Sequence, residues 1–464
     1  MFQWDVRALE ILDALEQAGH QAVLVGGCVR DALLGREPHD YDAAVSAPPE
    51  EILAACRSKF KCIPTGLAHG TVTVVHGGLP VEVTAFRKEG TYSDHRHPDR
   101  VAYTSRLEED LARRDFTVNA MAWGRSGLTD PFGGKEDLAA GVIRCVGDPD
   151  RRFQEDALRV LRGLRLAAQL DFRLEGETAA AIRRNTPLLS YVAWERIQAE
   201  FLRLLCCPGA ERILLDFPET VCQIVPELTP AVGFDQKNPH HCYDVYTHSV
   251  KTLGQVRPEP ALRLAALLHD AGKPACFSLD EQGVGHFYGH EGESARLAEQ
   301  AAARNGLTDR LAFRQGDLRD IRALLPAGTF DLAVSNPPYY PAGSGRLPEA
   351  EALRSARSEA GCTLEEVCAA AAYLLRWGGS FCLVHKPERL ADLCCALRAR
   401  GLEPKRLRFV CRWAGGAPSL LLLEARRGGR PGLDIAAPLC LEDGAGRPTA
   451  ELDAAYFRTK ETNP

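Results

Sequence analysis

The sequence has no apolar run of the roughly 18 residues that a bilayer-spanning helix needs. Of its 464 residues, 45% are hydrophobic and 25% are charged, which is the balance of a folded, water-soluble protein. Its first residues, MFQWDVRALEILDAL, lack the basic, apolar and small-residue regions of a signal peptide. We therefore expect a cytoplasmic protein that does not enter a membrane.

Basic charge and paired cysteine motifs are also lacking. The net charge of −6 excludes a globally basic coat for nucleic acid, so any RNA contact must come from local patches such as the arginine-rich region 151–203. The 16 cysteines never occur with C-x-x-C spacing, which argues against a structural zinc site. We expect reduced, mostly buried thiols.

The hydrophobic pattern divides the chain into regions of different secondary structure. AVLVGG at 22–27 predicts a buried strand that enters a glycine turn, and VRDALLG predicts a short helix after it. Alternating β-branched runs, TVTVV and VEVTAF, predict a small mixed sheet. From about residue 150 the pattern is that of long amphipathic helices, and after about residue 300 strands and helices alternate again.

Three carboxylates follow the glycine turn and form the first candidate site. Asp40 and Asp42 are two apart on a predicted strand, so their side chains share a face, and Glu82 alternates with valines in VEVTAF. Such oxygen ligands suit two Mg²⁺ ions in nucleotidyl transfer, and Gly26 and Gly27 let the backbone approach a triphosphate. The alternatives are a plain polar turn or a dinucleotide-binding turn, although the latter lacks the G-x-G-x-x-G spacing.

The motifs of the first 230 residues resemble, in order, those of class II tRNA nucleotidyltransferases. They are LVGGCVRDALLGREPHDYD, GTVTV, VEVTAFR, TYSDHRHPDRV, EEDLARRDFTVNAMA, DPFGGKEDL, RFQEDALRVLRGLRLAAQL and WERIQAEF. The resemblance implies a head, neck and body arrangement, with Asp40 and Asp42 as metal ligands and Glu82 as the supporting carboxylate. It also implies a nucleotide-binding set made of Gly26, Gly27, Arg30, Arg113, Arg114, Asp115, Asn119, Asp156, Arg159, Arg162 and Arg165.

Within that set, Asp156 and Arg159 of EDALR match the pair that reads the base edge of the incoming nucleotide. An aspartate accepts and an arginine donates hydrogen bonds, and we expect the two residues, three apart, to share one helix face. An ordinary surface ion pair is the alternative. The segment TYSDHRHPDRV resembles the loop associated with switching from C to A addition, which favours CCA addition, with poly(A) synthesis as a sister activity.

A histidine and aspartate cluster follows the helical region. His248, His269, Asp270 and His290 are spaced like the early ligands of an HD-type metal phosphohydrolase, over about residues 231–292. A final aspartate ligand is not evident, and the alternative is a structural, inactive region.

The carboxyl-terminal region resembles part of an amino-group methyltransferase that acts on adenine N6 in tRNA. Asn336, Pro337, Pro338 and Tyr339 match the NPPY motif, whose asparagine and proline carbonyl accept hydrogen bonds from the amine while the tyrosine stacks on the base. Asp317 would contact the adenine of S-adenosylmethionine. The glycine-rich loop and the ribose-binding acid are absent, so we expect impaired cofactor binding.

Together these patterns predict a multidomain protein of α/β and all-α parts. We expect a nucleotidyltransferase head at 1–147, a helical neck and body at 148–230, a partial HD region at 231–294 and an incomplete Rossmann-like methyltransferase domain at 295–464, joined within ESARLAEQAAARNG. The leading hypothesis is CCA addition to tRNA from CTP and ATP with Mg²⁺, without an obligate protein partner. The alternatives are tRNA adenine N6 methylation and a carboxyl-terminal region that only binds RNA.

Overall fold

The protein is described here from a computed structural model. The described residues are 4–67, 70–88, 102–238, 242–304, 317–337, 339, 362–444, 446–447 and 449–455. The motif TYSDHRHPDRV and Pro338 of NPPY lie outside them. The chain divides into two compact units, Met1–Ala312 and Phe313–Pro464. No helix among the described residues is both long enough and apolar enough to cross a membrane.

A seven-stranded mixed sheet forms the start of the first unit, with strand order β3-β4-β5-β2-β1-β8-β9. The strands up to residue 129, including a separate β6–β7 pair, are β1 Ala22–Val25, β2 Tyr41–Val45, β3 Lys61–Gly66, β4 Thr71–His76, β5 Leu79–Ala85, β6 Arg87–Lys88, β7 Ala102–Tyr103, β8 Ala122–Gly124 and β9 Gly127–Thr129. The helices of this part are Val6–Gln17, Gly27–Leu33, Pro49–Cys56, Leu107–Ala112 and Gly134–Ala139.

Alternation along the strands explains which face of this sheet is buried. In β5, Val81 and Val83 are fully buried while Glu82 between them is exposed. In β4, Val72 and Val74 are buried and alternate with the partly exposed Thr71, Thr73 and Val75. Because successive side chains point to opposite faces, the valines form a core and the polar residues line the open face. The predicted mixed sheet is confirmed.

Helices dominate the remainder of the first unit. They are Pro149–Glu155, Leu158–Leu170, Gly176–Asn185, Trp194–Leu205, Ala210–Asp216, Pro218–Ile224, Val245–Gln255, Pro260–Leu268 and His290–Arg304. Four short strands accompany them: β10 Val142–Ile143, β11 Arg173–Leu174, β12 Ser278–Leu279 and β13 Gly285–His286. The helix Leu158–Leu170 approaches the sheet part closely, since a Cβ on Gly163 would lie 2.9 Å from the ring of Phe116. That contact fixes the arginines of this helix against the segment that follows Asp115.

The second unit contains a five-stranded sheet with order β14-β15-β17-β16-β18. Its strands are β14 Phe330–Ser335, β15 Leu375–His385, β16 Leu402–Cys411, β17 Pro418–Arg427 and β18 Asp434–Cys440, and its helices are Ile321–Leu324, Leu364–Leu374, Leu390–Ala399 and Ala450–Ala455. Strand β18 was not predicted. The pairs β14–β15 and β16–β18 are parallel, whereas β17 is antiparallel to both of its neighbours.

One face of this second sheet is buried and the other is open. Phe381, Leu383, Leu407 and Leu423 pack with residues of the helices Leu364–Leu374 and Leu390–Ala399 in a common core. On the opposite face Val334 is 73% exposed. The unit is therefore a half-covered sheet, whose open face carries the apolar side chains of Val334, Val384 and Leu422 beside the charged side chains of Arg406, Arg408 and Glu424.

Candidate functional site

The three predicted carboxylates lie at one end of the first sheet. Strands β2 and β5 are parallel neighbours, and Asp42 is directly opposite Glu82 in their register. Both residues are exposed and lie between buried neighbours, and Asp40 is exposed two residues before Asp42. Paired residues of adjacent strands point to the same face, so Asp42 and Glu82 project together from the open side of the sheet.

The electrostatics of Asp42 show that these carboxylates interact. The protein around Asp42 reduces its hydration and raises its pKa, and the negative charges of Glu82 and Asp40 act in the same direction. The nearby guanidinium of Arg114 opposes this shift. A group of carboxylates that repel one another on an exposed sheet face is stabilised by a bound cation. Their oxygen donors fit Mg²⁺, which prefers carboxylate and phosphate oxygens.

The glycine turn after β1 brings the backbone against this group. Gly26 has a φ of +76°, a conformation that glycine adopts without strain. A Cβ there would lie 3.1 Å from Nη1 of Arg114 and 3.7 Å from Oδ2 of Asp42. Glycine is thus required twice at this position, by the backbone angle and by the close approach of two functional side chains.

The buried Asp110 orients Arg113 and Arg114, and Arg114 lies beside the Gly26 turn. Asp110 has no exposed surface, and its Oδ1 accepts hydrogen bonds from Nε of Arg113 at 2.9 Å and from the backbone N–H of Arg87 at 3.1 Å. Arg114 donates to Oδ2 of Asp110 at 3.4 Å. Burial favours the neutral carboxyl, but Arg113 and Arg114 outweigh it and hold the pKa of Asp110 below its usual range. Sequence reasoning did not single out Asp110, although it lies three residues before the predicted Arg113.

A polar cleft of about 200 Å³ lies beside the glycine turn. Six of the predicted nucleotide-binding residues line it: Gly27, Arg30, Asp115, Asn119, Arg162 and Arg165. Arg30 donates to Oδ1 of Asn119 at 2.8 Å, and Arg162 donates to Oδ2 of Asp115 at 2.8 Å. Burial opposes ionisation of Asp115, but Arg162 and Arg159 lower its pKa to about 2. The cleft is therefore walled by fixed charges of both signs, with guanidinium groups that suit phosphate.

The helical arrangement predicted for Asp156 and Arg159 is wrong. Asp156 is not inside a helix; it has an extended backbone with φ −142° and separates the helices Pro149–Glu155 and Leu158–Leu170. Its Oδ2 accepts a hydrogen bond from Arg196 at 2.9 Å. Arg159 instead donates to Glu155 at 2.7 Å and to the carbonyl oxygen of Arg113 at 3.0 Å. The chain breaks here because the Asp156 carboxylate accepts from the N–H of Leu158 at 3.1 Å and so begins a new helix.

Two partners in this arrangement, Arg196 and Glu155, were absent from the predicted site. Glu155 precedes Asp156 in EDALR, and Arg196 belongs to WERIQAEF, so both stand inside motifs that the sequence displays. Spacing alone does not bring Arg196 to Asp156, since the two residues are 40 positions apart. The structure thus links the two motifs through the ion pair of Asp156 with Arg196 and that of Arg165 with Glu200.

The histidine and aspartate cluster assembles around Asp270. His248, His269 and Asp270 each offer a ligand atom, all within 4.8 Å of one another. His290 lies near as well, with its Nε2 3.6 Å from Oδ1 of Asp270. The ammonium of Lys273 donates to Oδ2 of Asp270 at 2.7 Å and to Oε1 of Gln236 at 3.0 Å. Asp270 is therefore already neutralised by a buried internal cation.

Two of the residues predicted for a methyltransferase are hydrogen-bonded to each other. The hydroxyl of Tyr339 donates to Oδ1 of Asn336 at 2.6 Å, which is the atom expected to accept from a target amine. Asp317 forms an ion pair with Arg319, which lowers its pKa to about 2. Pro337 is buried at the end of β14, beside Asn336. The Asp317 carboxylate, which would contact the cofactor adenine, therefore already has an exposed guanidinium partner.

Comparison with known proteins places the first part of the chain. Residues 22–144 match the model of the "Poly A polymerase head domain", and residues 171–230 match that of the "Probable RNA and SrmB- binding site of polymerase A". The CCA-adding enzyme of Lactobacillus helveticus is 46% identical over 217 residues, which are 46% of this chain and 53% of that enzyme. Residues 22–230 belong to the class II CCA-adding enzyme and poly(A) polymerase family.

A second curated relative and a solved structure also match the chain. The CCA-adding enzyme of Anoxybacillus flavithermus is 47% identical over 224 residues, 48% of this chain and 56% of that enzyme. A crystal structure of the Bacillus stearothermophilus CCA-adding enzyme in complex with CTP is 34% identical, with a TM-score of 0.47, and the match covers 66% of this chain and 70% of that one. The chain spans about half the length of the curated relatives that it matches.

Proposed function

We propose that the first unit is a template-independent nucleotidyltransferase that adds C, C and A to tRNA 3′ ends from CTP and ATP. The observation that carries this proposal is the meeting of Asp42 and Glu82 on adjacent parallel strands, with Asp40 two residues before Asp42. The Gly26 turn joins these carboxylates to the arginine-walled cleft. Relatives named as CCA-adding enzymes support the choice of substrate.

In the proposed reaction, the 3′ hydroxyl oxygen of the tRNA forms a bond to the α-phosphorus of the nucleotide, and the bond to pyrophosphate breaks. Asp40 and Asp42 would hold two Mg²⁺ ions, with Glu82 in support; bound Mg²⁺ activates the hydroxyl and neutralises the leaving pyrophosphate. Arg113 and Arg114 are aimed by Asp110, so they can receive phosphate oxygens without reorganising. Arg30 and Asn119 are hydrogen-bonded to each other and line the cleft that would hold the sugar and phosphates.

We further propose that Asp156 and Arg159 read the incoming base, held from behind by Arg196 and Glu155. Replacing Arg159 with Ala would remove a donor whose direction is set by Glu155 and the Arg113 carbonyl. We expect the ratio of CMP to AMP incorporation at the first added position to change by about tenfold or more. The reason is that a hydrogen bond made to one base and left unmade with the other strongly favours the first base. Single-turnover extension with each nucleotide separately measures this ratio.

The matched control is Arg212→Ala, which removes a half-exposed arginine that pairs with Asp171 at 3.3 Å, outside the cleft. This variant should keep the ratio of the unaltered protein. An unchanged ratio in Arg159→Ala would contradict the proposed role in base selection. An extension product made of A alone would instead favour the sister activity, poly(A) synthesis.

For the histidine and aspartate cluster we propose a structural role in place of hydrolysis. Asp270 and Lys273 are 4% and 6% exposed, and their pairing at 2.7 Å satisfies both charges. Replacing Asp270 with Asn would leave a buried ammonium without its counter-ion. We expect a loss of about 3 kcal/mol in the free energy of unfolding, the size found for a broken buried pair.

Urea unfolding measures this loss, with Asp280→Asn as control because the Asp280–His286 pair is exposed. The control should unfold close to the unaltered protein. A divalent-ion-dependent phosphohydrolase activity that disappears in Asp270→Asn would contradict the structural role.

We propose that the second unit is related to the NPPY-type methyltransferases but does not methylate RNA. Support comes from Asn336 and Tyr339 lying together at the end of β14, and from the pairing of Asp317 with Arg319. Equilibrium titration of the full chain with S-adenosylmethionine tests the proposal and should show no saturable binding. Saturable binding together with methyl transfer to adenine would favour the alternative of an active methyltransferase.

A further inference from the structure

An exposed tryptophan marks one end of the second sheet. Trp377, near the start of β15, is 79% exposed, although a tryptophan normally gains from burial. Its ring lies against the turn after β17, since a Cβ on Gly428 would be 2.3 Å from two ring atoms. Phe330 begins β14, pairs with Leu375 in the register and is 38% exposed. Trp377 and Phe330 are thus two exposed aromatic side chains at the same end of the sheet.

Two exposed arginines, Arg426 and Arg430, flank the Gly428 turn against which the Trp377 ring lies. Arg426 is the last residue but one of β17, beside the Gly428 turn. Arg430 follows that turn, and its carbonyl oxygen accepts a hydrogen bond from Nζ of Lys405 at 3.1 Å. Arg426 and Arg430 are exposed, and no carboxylate of the described residues lies within 4.0 Å of their guanidinium groups. The nearby Arg398, by contrast, forms an ion pair with Glu403, which neutralises its charge. Positive charge therefore remains available at this edge in a chain whose net charge is −6.

We propose that this edge, defined by Trp377, Phe330, Arg426 and Arg430, binds single-stranded RNA. An exposed aromatic ring beside unpaired arginines is the arrangement that holds unpaired nucleotides, because a base stacks on the ring while the guanidinium groups bind adjacent phosphates. An acidic protein surface would satisfy the arginines but would leave the 79% exposed indole without a planar partner. This RNA-binding proposal concerns the second unit and does not depend on the nucleotide addition proposed for the first unit.

Fluorescence anisotropy of the full chain with a short oligouridylate, labelled with fluorescein at its 3′ end, tests this surface without CTP or ATP. Trp377→Ala should weaken binding about fivefold or more, since one base loses its stacking partner. The double variant Arg426→Gln, Arg430→Gln should reduce the slope of log K against log salt by about 1.4, at about 0.7 for each phosphate contact on a single strand. Both changes lie at exposed positions, so the thermal unfolding midpoint should stay unchanged.

Matched controls lie in the same unit. Trp413 is 50% exposed and stands near Arg412, which Glu442 neutralises. Trp413→Ala and Arg412→Gln should bind the oligonucleotide like the unaltered protein. The inference is overturned if Trp377→Ala binds normally, if Trp413→Ala weakens binding equally, or if the arginine pair leaves the salt slope unchanged. Binding is measured without CTP or ATP and by variants of the second unit alone, so a failure of the proposed catalysis would leave this result intact.

Discussion

Replacing Asp42 with Ala is expected to lower the rate of CMP addition to tRNA about 1,000-fold or more. The change removes a ligand from a proposed metal pair that contributes several kcal/mol of transition-state stabilisation, and each 1.4 kcal/mol is a factor of ten in rate. Asp42 is exposed and its pKa is raised because surrounding protein reduces its hydration, so the alanine also relieves repulsion by Glu82 and Asp40. The folded state should therefore be as stable as before, or slightly more stable.

Single-turnover extension with CTP measures the rate, and urea unfolding measures the stability. Asp40→Ala should behave in the same way. Asp13→Ala is the matched control, because Asp13 is a half-exposed aspartate of the same unit whose ion pair among the described residues is with the exposed Arg125. A variant at Asp42 that retains more than a tenth of the rate would contradict the two-metal assignment, whereas loss of rate together with loss of stability would point to a folding defect.

Replacing Asp110 with Asn is expected to cost about 3 kcal/mol of stability and to abolish nucleotide binding. The substitution keeps the shape of a side chain with no exposed surface, but it leaves Arg113 and Arg114 without their counter-ion. Neutralising one partner of a buried ion pair lowers the free energy of unfolding by about this amount, because the remaining charge is poorly hydrated. The two arginines would then lose the orientation proposed for binding the triphosphate. Urea unfolding and equilibrium binding of CTP measure the two effects.

The stability difference should depend on pH in a definite direction. Burial raises the pKa of Asp110, but the positive charges of Arg113 and Arg114 lower it by more. The pKa of Asp110 in the folded state therefore lies below its usual value of 3.8. A lowered carboxyl pKa stabilises the fold above the unfolded value and loses that contribution as the pH falls through the folded value. The advantage over Asp110→Asn should therefore be full near neutral pH and shrink below about pH 4. A difference that grows on acidification would contradict this account.

The neighbouring Glu109→Gln serves as the control for both measurements. Glu109 lies on the same helix as Asp110, but its partners Lys88 and Arg106 are exposed. Surface ion pairs contribute little because water screens them. Equal losses for the two variants would show that the helix itself, and not the buried pair, determines the effect.

Much of the first sheet followed from local sequence. The alternation of Val81, Glu82 and Val83 determines which side chains are buried, and it holds because successive residues of a strand point to opposite faces. Parallel pairing then puts Asp42 opposite Glu82. The glycine turn was likewise evident, since Gly26 takes a positive φ beside Asp42. These features depend on period, spacing and residue type, which a single sequence displays.

Other parts of the site depend on contacts between distant segments. The expected helix face shared by Asp156 and Arg159 assumed one continuous helix, whereas Asp156 ends one helix and its side chain begins the next. The pairing of Asp156 with Arg196 joins positions that periodicity does not relate. Arg30 and Asn119 are 89 residues apart, so their meeting depends on the complete fold. For these residues the family resemblance supplied the candidates, and the structure supplied their partners.

The most direct test is extension, resolved to single nucleotides, of a tRNA that lacks its CCA end, with the full chain, Mg²⁺ and CTP, ATP or both. The account predicts addition of two C residues with CTP alone and of C, C and A with both nucleotides, followed by a stop. No extension, or an untemplated run of A residues, would contradict it.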